Sequence, residues 1–238
     1  ALAATLPQPV EHRPMVFREL PQRTSLATVA AEAGSRPPGT VLLGVGGDEA
    51  LPVSIDLVEL RSPFVVAGPP ESGRTTALAV LAEQLLDDGL LVLVHATSHT
   101  PDHRIPCTAY VAAESELPDD AFLLVDNADQ VASQDSLILA ALGRIHPRLV
   151  LSGVGEDLAG YGGWKSRLAA GASGLLLSPR PREGDVVGIT ISPDEAFNGP
   201  PGRAYFVHKG RRVLLQVVSP GGHPPKPGSS RPELPERL

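Results

Sequence analysis

The central part of the chain alternates short, continuously apolar runs with longer amphipathic stretches. The runs have the length of strands that are buried on both faces, which is typical of parallel sheets covered by helices. They are Phe64–Ala67, Leu90–Val94, Phe122–Val125, Leu149–Leu151 and Leu175–Leu177. Helices are predicted at Arg74–Leu86, Ser133–Arg144 and Glu156–Ala170. The pattern predicts an α/β fold with a largely parallel sheet flanked by helices.

The segments on either side of this region are predicted to add further strands. Val41–Val45 and Val53–Val58 surround a turn-rich segment and are expected to form an N-terminal β-hairpin that packs against the main sheet. The C-terminal β additions are predicted at Val186–Ile191, Ala204–His208 and Val213–Val218.

Three parts of the chain are therefore expected. Residues 1–40 form an amphipathic segment that packs on the core and contains a helix at Ser25–Ala33, with Ser25 as N-cap. Residues 41–218 form the main domain, and residues 219–238, which are rich in proline, form a disordered tail. Because the chain begins with Ala1 and has no signal-peptide pattern, we expect it to be a fragment of a longer protein.

The strongest chemical signal directly follows the run Phe64–Ala67. It reads Gly-x-x-x-x-Gly-Arg-Thr and comprises Gly68, Pro69, Pro70, Glu71, Ser72, Gly73, Arg74, Thr75 and Thr76. A strand, a glycine loop and a helix in this order predict a phosphate-binding loop, since backbone N–H groups point inward and the helix N-terminus adds partial positive charge. Thr75 stands where a hydroxyl would hold Mg²⁺. The alternative is a Gly-Pro turn that merely precedes a helix.

A second signal is the acid at the end of the run Phe122–Val125. Asp126 is in the position from which a carboxylate ligates Mg²⁺ in nucleotide hydrolases, on a strand expected to neighbour that of the loop. The alternative for Asp126 alone is a helix-capping aspartate.

Two residues depart from the pattern of an active hydrolase. Arg74 occupies the usual lysine position, and its planar guanidinium does not replace a compact ammonium at the phosphates. Asn127 stands where a glutamate would act as general base, and Asp129 could substitute only if the turn brought it back. We therefore expect a site that keeps its shape but hydrolyses ATP poorly.

Composition narrows the possible partners. The net charge is −7, which argues against a nucleic-acid-binding surface as the main role of the chain. Cys107 is the single cysteine, so an internal disulfide framework and a cysteine zinc site are excluded. His95, His99 and His103 have metal-ligand spacing only if helical, and nearby prolines favour exposed loop histidines instead. Trp164 is expected in the core, with a partner anchor formed with Tyr161 as the alternative.

The sequence resembles the FtsK/SpoIIIE motor ATPases. The resemblance is carried by the glycine loop, by the strand that ends at Asp126 and by several further segments. The greatest likeness is to the C-terminal, degenerate ATPase modules of type VII secretion ATPases of the EccC/EssC kind. The further segments are Arg18–Arg23, Leu42–Gly47, Val53–Asp56, Leu151–Gly153, Gly174–Arg180, Gly184–Gly188 and Gly199–Ala204.

The resemblance implies a RecA/FtsK-like P-loop NTPase domain over residues 41–218. It implies ATP as ligand of Gly68–Thr76 and Mg²⁺ at Thr75 and Asp126, and it puts Ser152 near the sensor position. Arg167, Arg180 and Arg203 are candidates for an arginine finger.

Its implied partners are other ATPase modules of the same chain, ring-forming copies, and the signal of a secreted helical-hairpin substrate. Its implied location is the cytoplasmic face of the cell membrane, within a larger membrane-anchored protein. The expected function is a degenerate ATP-binding module that serves in regulation or substrate docking. The alternatives are an active DNA-translocating module of the same superfamily and a stand-alone P-loop kinase or NTPase.

Overall fold

A single sheet of eleven strands runs through the computed structural model, which describes residues 17–96, 104–168, 171–197 and 199–220. The strands are β1 (Thr24–Ser25), β2 (Thr40–Gly46), β3 (Leu51–Asp56), β4 (Phe64–Ala67), β5 (Val92–His95), β6 (Ala109–Val111), β7 (Phe122–Val125), β8 (Leu149–Gly153), β9 (Ser173–Leu177), β10 (Arg203–His208) and β11 (Arg211–Ser219). The helices are α1 (Leu26–Ala33), α2 (Arg74–Asp87), α3 (Ser136–Leu142), α4 (Gly155–Leu158) and α5 (Lys165–Leu168). Short 3₁₀ helices lie at Glu114–Glu116, Ala128–Gln130 and Glu183–Val187.

The sheet has a parallel part and an antiparallel part. Its order is β3-β2-β11-β10-β9-β4-β8-β7-β5-β6, with β1 beside β11. The strands from β9 to β6 pair in parallel, whereas β9, β10, β11, β2 and β3 pair antiparallel with one another. The predicted α/β fold with a largely parallel sheet is confirmed.

Strand β4 shows why the parallel strands are continuously apolar. Phe64 and Val66 pack into the core on one face of the sheet, with Leu78 of α2, whereas Val65 packs into the core on the other face, with Trp164. Because both faces are covered, each side chain of β4 is buried and no position is left for a polar residue.

Helix α2, which follows the glycine loop, is connected to the antiparallel part by one buried side chain. Gln84 accepts a hydrogen bond from Leu42 N at 2.8 Å and donates to Leu42 O at 3.1 Å. It satisfies backbone groups of β2 beside the point where the β2–β3 register shifts. The predicted hairpin, formed by β2 and β3, pairs with β11 through β2. It extends the sheet and does not pack against it as a separate layer.

The N-terminal helix begins as the sequence predicts. The Ser25 side chain accepts a hydrogen bond from Thr28 N, and Gly34 ends α1 with φ of 72°. Of the segment 1–40, residues 1–16 lie outside the described residues, and so do residues 221–238 of the predicted tail.

The prediction of one long helix at Glu156–Ala170 is wrong. Two four-residue helices, α4 and α5, lie at its ends within the described residues. Gly162 and Gly163, at φ of 86° and 55°, interrupt it. A side chain at Gly163 would also collide with the backbone of Ser133. Helix α3 likewise spans only Ser136–Leu142 of the predicted Ser133–Arg144.

Two further expectations need correction. The strand predicted at Val186–Ile191 does not form: its first two residues end the 3₁₀ helix Glu183–Val187, which Gly188 closes at φ of 71°, and residues 189–191 have no regular structure. Its valines are apolar because they enter the core, not because they pair in a sheet. Strand β7, which precedes Asp126, is also not the direct neighbour of β4, because β8 lies between them.

The histidine segment falls partly outside the described residues. His99 and His103 lie there, whereas His95 is the last residue of β5 and is buried rather than an exposed loop residue. Its Nε2 lies 3.1 Å from Oδ2 of Asp135, the residue that caps α3.

Among the helices of the described ranges, none combines the length and the hydropathy needed to cross a bilayer.

Candidate nucleotide site

The glycine loop turns sharply between β4 and α2. Gly73 precedes the helix at φ of 98°, and Glu71 adopts φ of 65°, a conformation that favours glycine. Gly68 has no room for a side chain, since a Cβ would lie 2.6 Å from Leu177 O. The first N–H groups of α2, including those of Arg74 and Thr75, have no acceptor within the helix. This geometry suits an anion at the start of α2.

Oxygen ligands for a divalent cation meet beside the loop. Thr75 Oγ1 donates to Asp126 Oδ2 at 2.9 Å, and Ser152 Oγ at the end of β8 donates to Asp126 Oδ1. The sheet order explains the meeting, because β8 places Ser152 between the loop and the end of β7. A hydroxyl and a carboxylate fit Mg²⁺, which takes oxygen ligands. No group of three His, Cys, Asp or Glu residues suited to a metal occurs in the described ranges, so phosphate and water oxygens would have to complete the shell.

The two residues that depart from the hydrolase pattern contact each other. Arg74 Nη2 donates to Asn127 Oδ1 at 3.3 Å, and Arg74 Nη1 lies 3.9 Å from Asp129 Oδ1. The 3₁₀ helix Ala128–Gln130 thus brings Asp129 back to the site. Arg74 Nη1 is buried and makes no hydrogen bond within the described part of the chain, so its contact with Asp129 is an ion pair without a hydrogen bond.

Glu183 is a site residue that sequence reasoning missed. Its carboxylate is buried and accepts a hydrogen bond from Gly155 N at 2.7 Å, just beyond β8. Burial raises the pKa of Glu183, while the Gly155 N–H and the Arg74 charge act in the opposite direction. Glu183 lies between the segments Gly174–Arg180 and Gly184–Gly188 and belongs to no motif of the sequence analysis.

A cleft of about 320 Å³ opens beside the loop. One wall consists of Glu71, Ser72, Gly73 and Thr76, and the opposite wall comes from the N-terminal segment and from β11 and the turn before β10. Ser72 Oγ is buried there without a hydrogen-bond partner in the described ranges. The cleft is therefore open to a small ligand beside the start of α2.

The three arginine-finger candidates have different environments. Arg203 is occupied, because it donates to Gln216 Oε1 at 3.1 Å and to Pro21 O at 3.0 Å, and burial lowers its pKa. Arg167 is exposed on α5. Arg180 is exposed and shares a second cleft with Pro69 of the loop.

The aromatic pair divides between core and surface. Trp164 is fully buried and donates from Nε1 to Ala132 O at 2.8 Å, so its predicted core position is confirmed. Tyr161 is fully exposed. Cys107 is half-buried and packs against the core beside α2.

Comparison with known proteins gives structural matches alone. No family model matches the sequence, and no curated protein matches it either. The solved structure of EssC (ATPases 2 and 3) from Geobacillus thermodenitrificans matches with a TM-score of 0.64 at 15% identity, over 85% of this chain and 45% of that one. Thermomonospora curvata EccC (ATPases 2 and 3), in complex with a signal sequence peptide, matches with a TM-score of 0.60 at 20% identity, over 85% of this chain and 44% of that one.

A third match is the pCW3 conjugation coupling protein TcpA with ATPγS. Its TM-score is 0.56 at 12% identity, over 84% of this chain and 71% of that one. The chain thus spans less than half the length of the two secretion ATPase chains. At these identities the likeness establishes the fold: this chain has the fold of the P-loop ATPase domains found in EccC, EssC and TcpA.

Proposed function

We propose that this chain is a degenerate FtsK/SpoIIIE-type ATP-binding module of a multi-domain secretion motor of the type VII kind. It binds Mg·ATP weakly, hydrolyses it little or not at all, and serves in regulation or in docking a secreted substrate. The observation that carries the proposal is the contact of Arg74 with Asn127, next to the intact pair of Thr75 and Asp126.

The binding half of the proposal rests on the loop. In the proposed complex, the backbone amides at the start of α2 hold the phosphates of ATP, and residues Gly68 to Thr76 surround these phosphates. Thr75 and Asp126 hold Mg²⁺, which neutralises phosphate charge when bound. The rest of the nucleotide occupies the cleft beside Thr76.

Weak binding follows from the charges around the loop. Arg74 is the one cation of Gly68–Thr76, and Glu71 adds an acid to the same loop. Asp126, Asp129 and Glu183 add three carboxylates around Arg74 and Thr75. These carboxylates repel a polyanion at the loop and offset part of the attraction of Arg74, which reduces the affinity of the loop for nucleotide.

Slow hydrolysis follows from the absence of a base at residue 127. The amide of Asn127 accepts no proton at neutral pH, and its oxygen is engaged by Arg74. Asp129 is close, but its carboxylate is engaged by Arg74 and by Val154 N at 3.2 Å.

The proposed partners are other ATPase modules of the same protein, ring-forming copies and a secreted segment. Support comes from EssC and EccC, whose matched structures contain two ATPases in one chain, and from the signal sequence peptide bound to EccC. The proposed location is the cytoplasmic face of a membrane, as part of a larger anchored protein.

An active DNA-translocating module is the second candidate, favoured by the match to a conjugation coupling protein. The net charge of −7, Arg74 and Asn127 favour the first candidate.

Calorimetric titration with Mg·ATP, paired with a phosphate-release assay, tests the proposal. We expect weak, saturable binding that depends on Mg²⁺, with little phosphate release. Robust turnover by the isolated chain would contradict the degenerate site, and no binding at millimolar Mg·ATP would contradict the nucleotide role.

A further inference from the structure

Arg74 is enclosed by groups that do not belong to the phosphate loop. Its side chain is 12% exposed and that of Asp129 is 10% exposed, so their ion pair is largely shielded from water. Asn127 Oδ1 engages the other terminal nitrogen of the same guanidinium. Both contacts direct the guanidinium toward the turn that follows β7.

Asp129 is held in place from the opposite side. Its Oδ1 accepts a hydrogen bond from Val154 N, and its main-chain oxygen accepts one from Lys165 Nζ at 3.1 Å. A Cβ at Gly153 would lie 2.5 Å from Asp129 Oδ1, so the glycine leaves just enough room for the carboxylate. Because Asp129 is fixed, Arg74 must leave it in order to follow an incoming phosphate.

We propose that Asp129 competes with phosphate for Arg74 and thereby lowers the affinity of the loop for nucleotide. This inference rests on the proposed function and assigns Asp129 as a positioning residue of the same site. Asp129 approaches Arg74 Nη1 through one oxygen at 3.9 Å. A phosphate is also an anionic acceptor for the guanidinium and can accept two hydrogen bonds from it, so the two anions compete for the same group.

The competition has a defined consequence for a neutral residue at position 129. An asparagine there keeps an oxygen that accepts from Val154 N, but it loses the charge that attracts Arg74. The freed guanidinium then pairs with phosphate without first breaking an ion pair. Asp129→Asn therefore tightens binding, whereas the loss of a structural residue would weaken it.

The first test measures dissociation constants of wild-type and Asp129→Asn chains for Mg·ATP and for inorganic pyrophosphate. We expect both ligands to bind the variant at least tenfold more tightly. The matched control is Asp120→Asn, which makes the same charge change on an exposed residue. Asp120 precedes β7, whereas Asp129 follows it, so the control lies at the other end of the strand. Equal shifts in the two variants, no shift, or weaker binding by Asp129→Asn would overturn the inference.

The second test needs no nucleotide. A double-mutant cycle of Arg74→Gln and Asp129→Asn, followed by urea unfolding, should give midpoint shifts that are not additive. Additive shifts would mean that Arg74 and Asp129 do not interact, and the proposed competition would then be overturned. If the wild type binds nucleotide and Asp129→Asn changes nothing, only this inference fails. If neither chain binds, the proposed function fails as well.

Discussion

Under the proposed function, placing a lysine and a glutamate at the two positions that depart from the hydrolase pattern should raise the rate of ATP hydrolysis. The change is Arg74→Lys with Asn127→Glu. The two positions have to be changed together, because Arg74 Nη2 lies 3.3 Å from Asn127 Oδ1 and would form an ion pair with a glutamate there. The shorter lysine is expected to stay at the loop and leave the new carboxylate free to orient water.

The size of the gain follows from the role of a general base. Such a group contributes about 10²- to 10⁴-fold to a rate. This corresponds to about 3 to 5 kcal/mol of barrier. The structure also sets a cost, since residue 127 has φ of 50°, a left-handed conformation that asparagine tolerates better than glutamate. We expect a loss of about 1 kcal/mol in the free energy of unfolding, small against the ~5 to 15 kcal/mol of an ordinary domain.

Phosphate release at saturating Mg·ATP measures the gain. The control is Arg74→Lys with Asn127→Gln, which has the same side-chain length but no base and should stay near the wild-type rate. If the glutamate variant folds and binds Mg·ATP but releases phosphate no faster than the glutamine variant, residue 127 does not limit turnover and the reasoning is refuted.

Three further predictions concern stability, pH and partners. Gln84→Met should lower the free energy of unfolding by about 2 to 5 kcal/mol, since it leaves the backbone N–H and C=O of Leu42 unpaired. Urea unfolding measures the change, and an equal effect of Gln134→Met, at an exposed glutamine, would contradict the prediction. Because burial raises the pKa of Glu183, the native state loses stability as pH rises through that pKa. Glu183→Gln should therefore gain stability over the wild type at pH 8 and not at pH 4, and a pH-independent difference would refute this. In pull-downs the chain should retain secreted helical-hairpin proteins, and retention of DNA alone would favour the translocating module.

The parallel half of the fold could be predicted because its strands are buried on both faces. The runs at Phe64–Ala67 and Phe122–Val125 match β4 and β7 residue for residue, since no polar residue fits there. Valines 186 and 187 misled the same reasoning, because apolar content alone does not distinguish a strand from a buried 3₁₀ turn.

The candidate site could be predicted only where its residues are close in sequence or end a strand. Thr75 and Asp126 meet as expected, although β8 lies between their strands. Glu183 could not be found this way, because a loop beyond β9 brings it back to Gly155, far away in sequence. The approach of Asp129 to Arg74 likewise depends on a 3₁₀ turn that the spacing leaves undetermined.

Backbone amide NMR during titration with Mg·ATPγS tests most directly whether the loop binds phosphate. We expect saturable shifts of the amide resonances that are concentrated at residues 71–76, with smaller shifts at residues 126–129, and we expect them to be lost when Mg·ATPγS is replaced by adenosine. Shifts that are confined to other surfaces, or no shifts at millimolar ligand, would contradict this expectation.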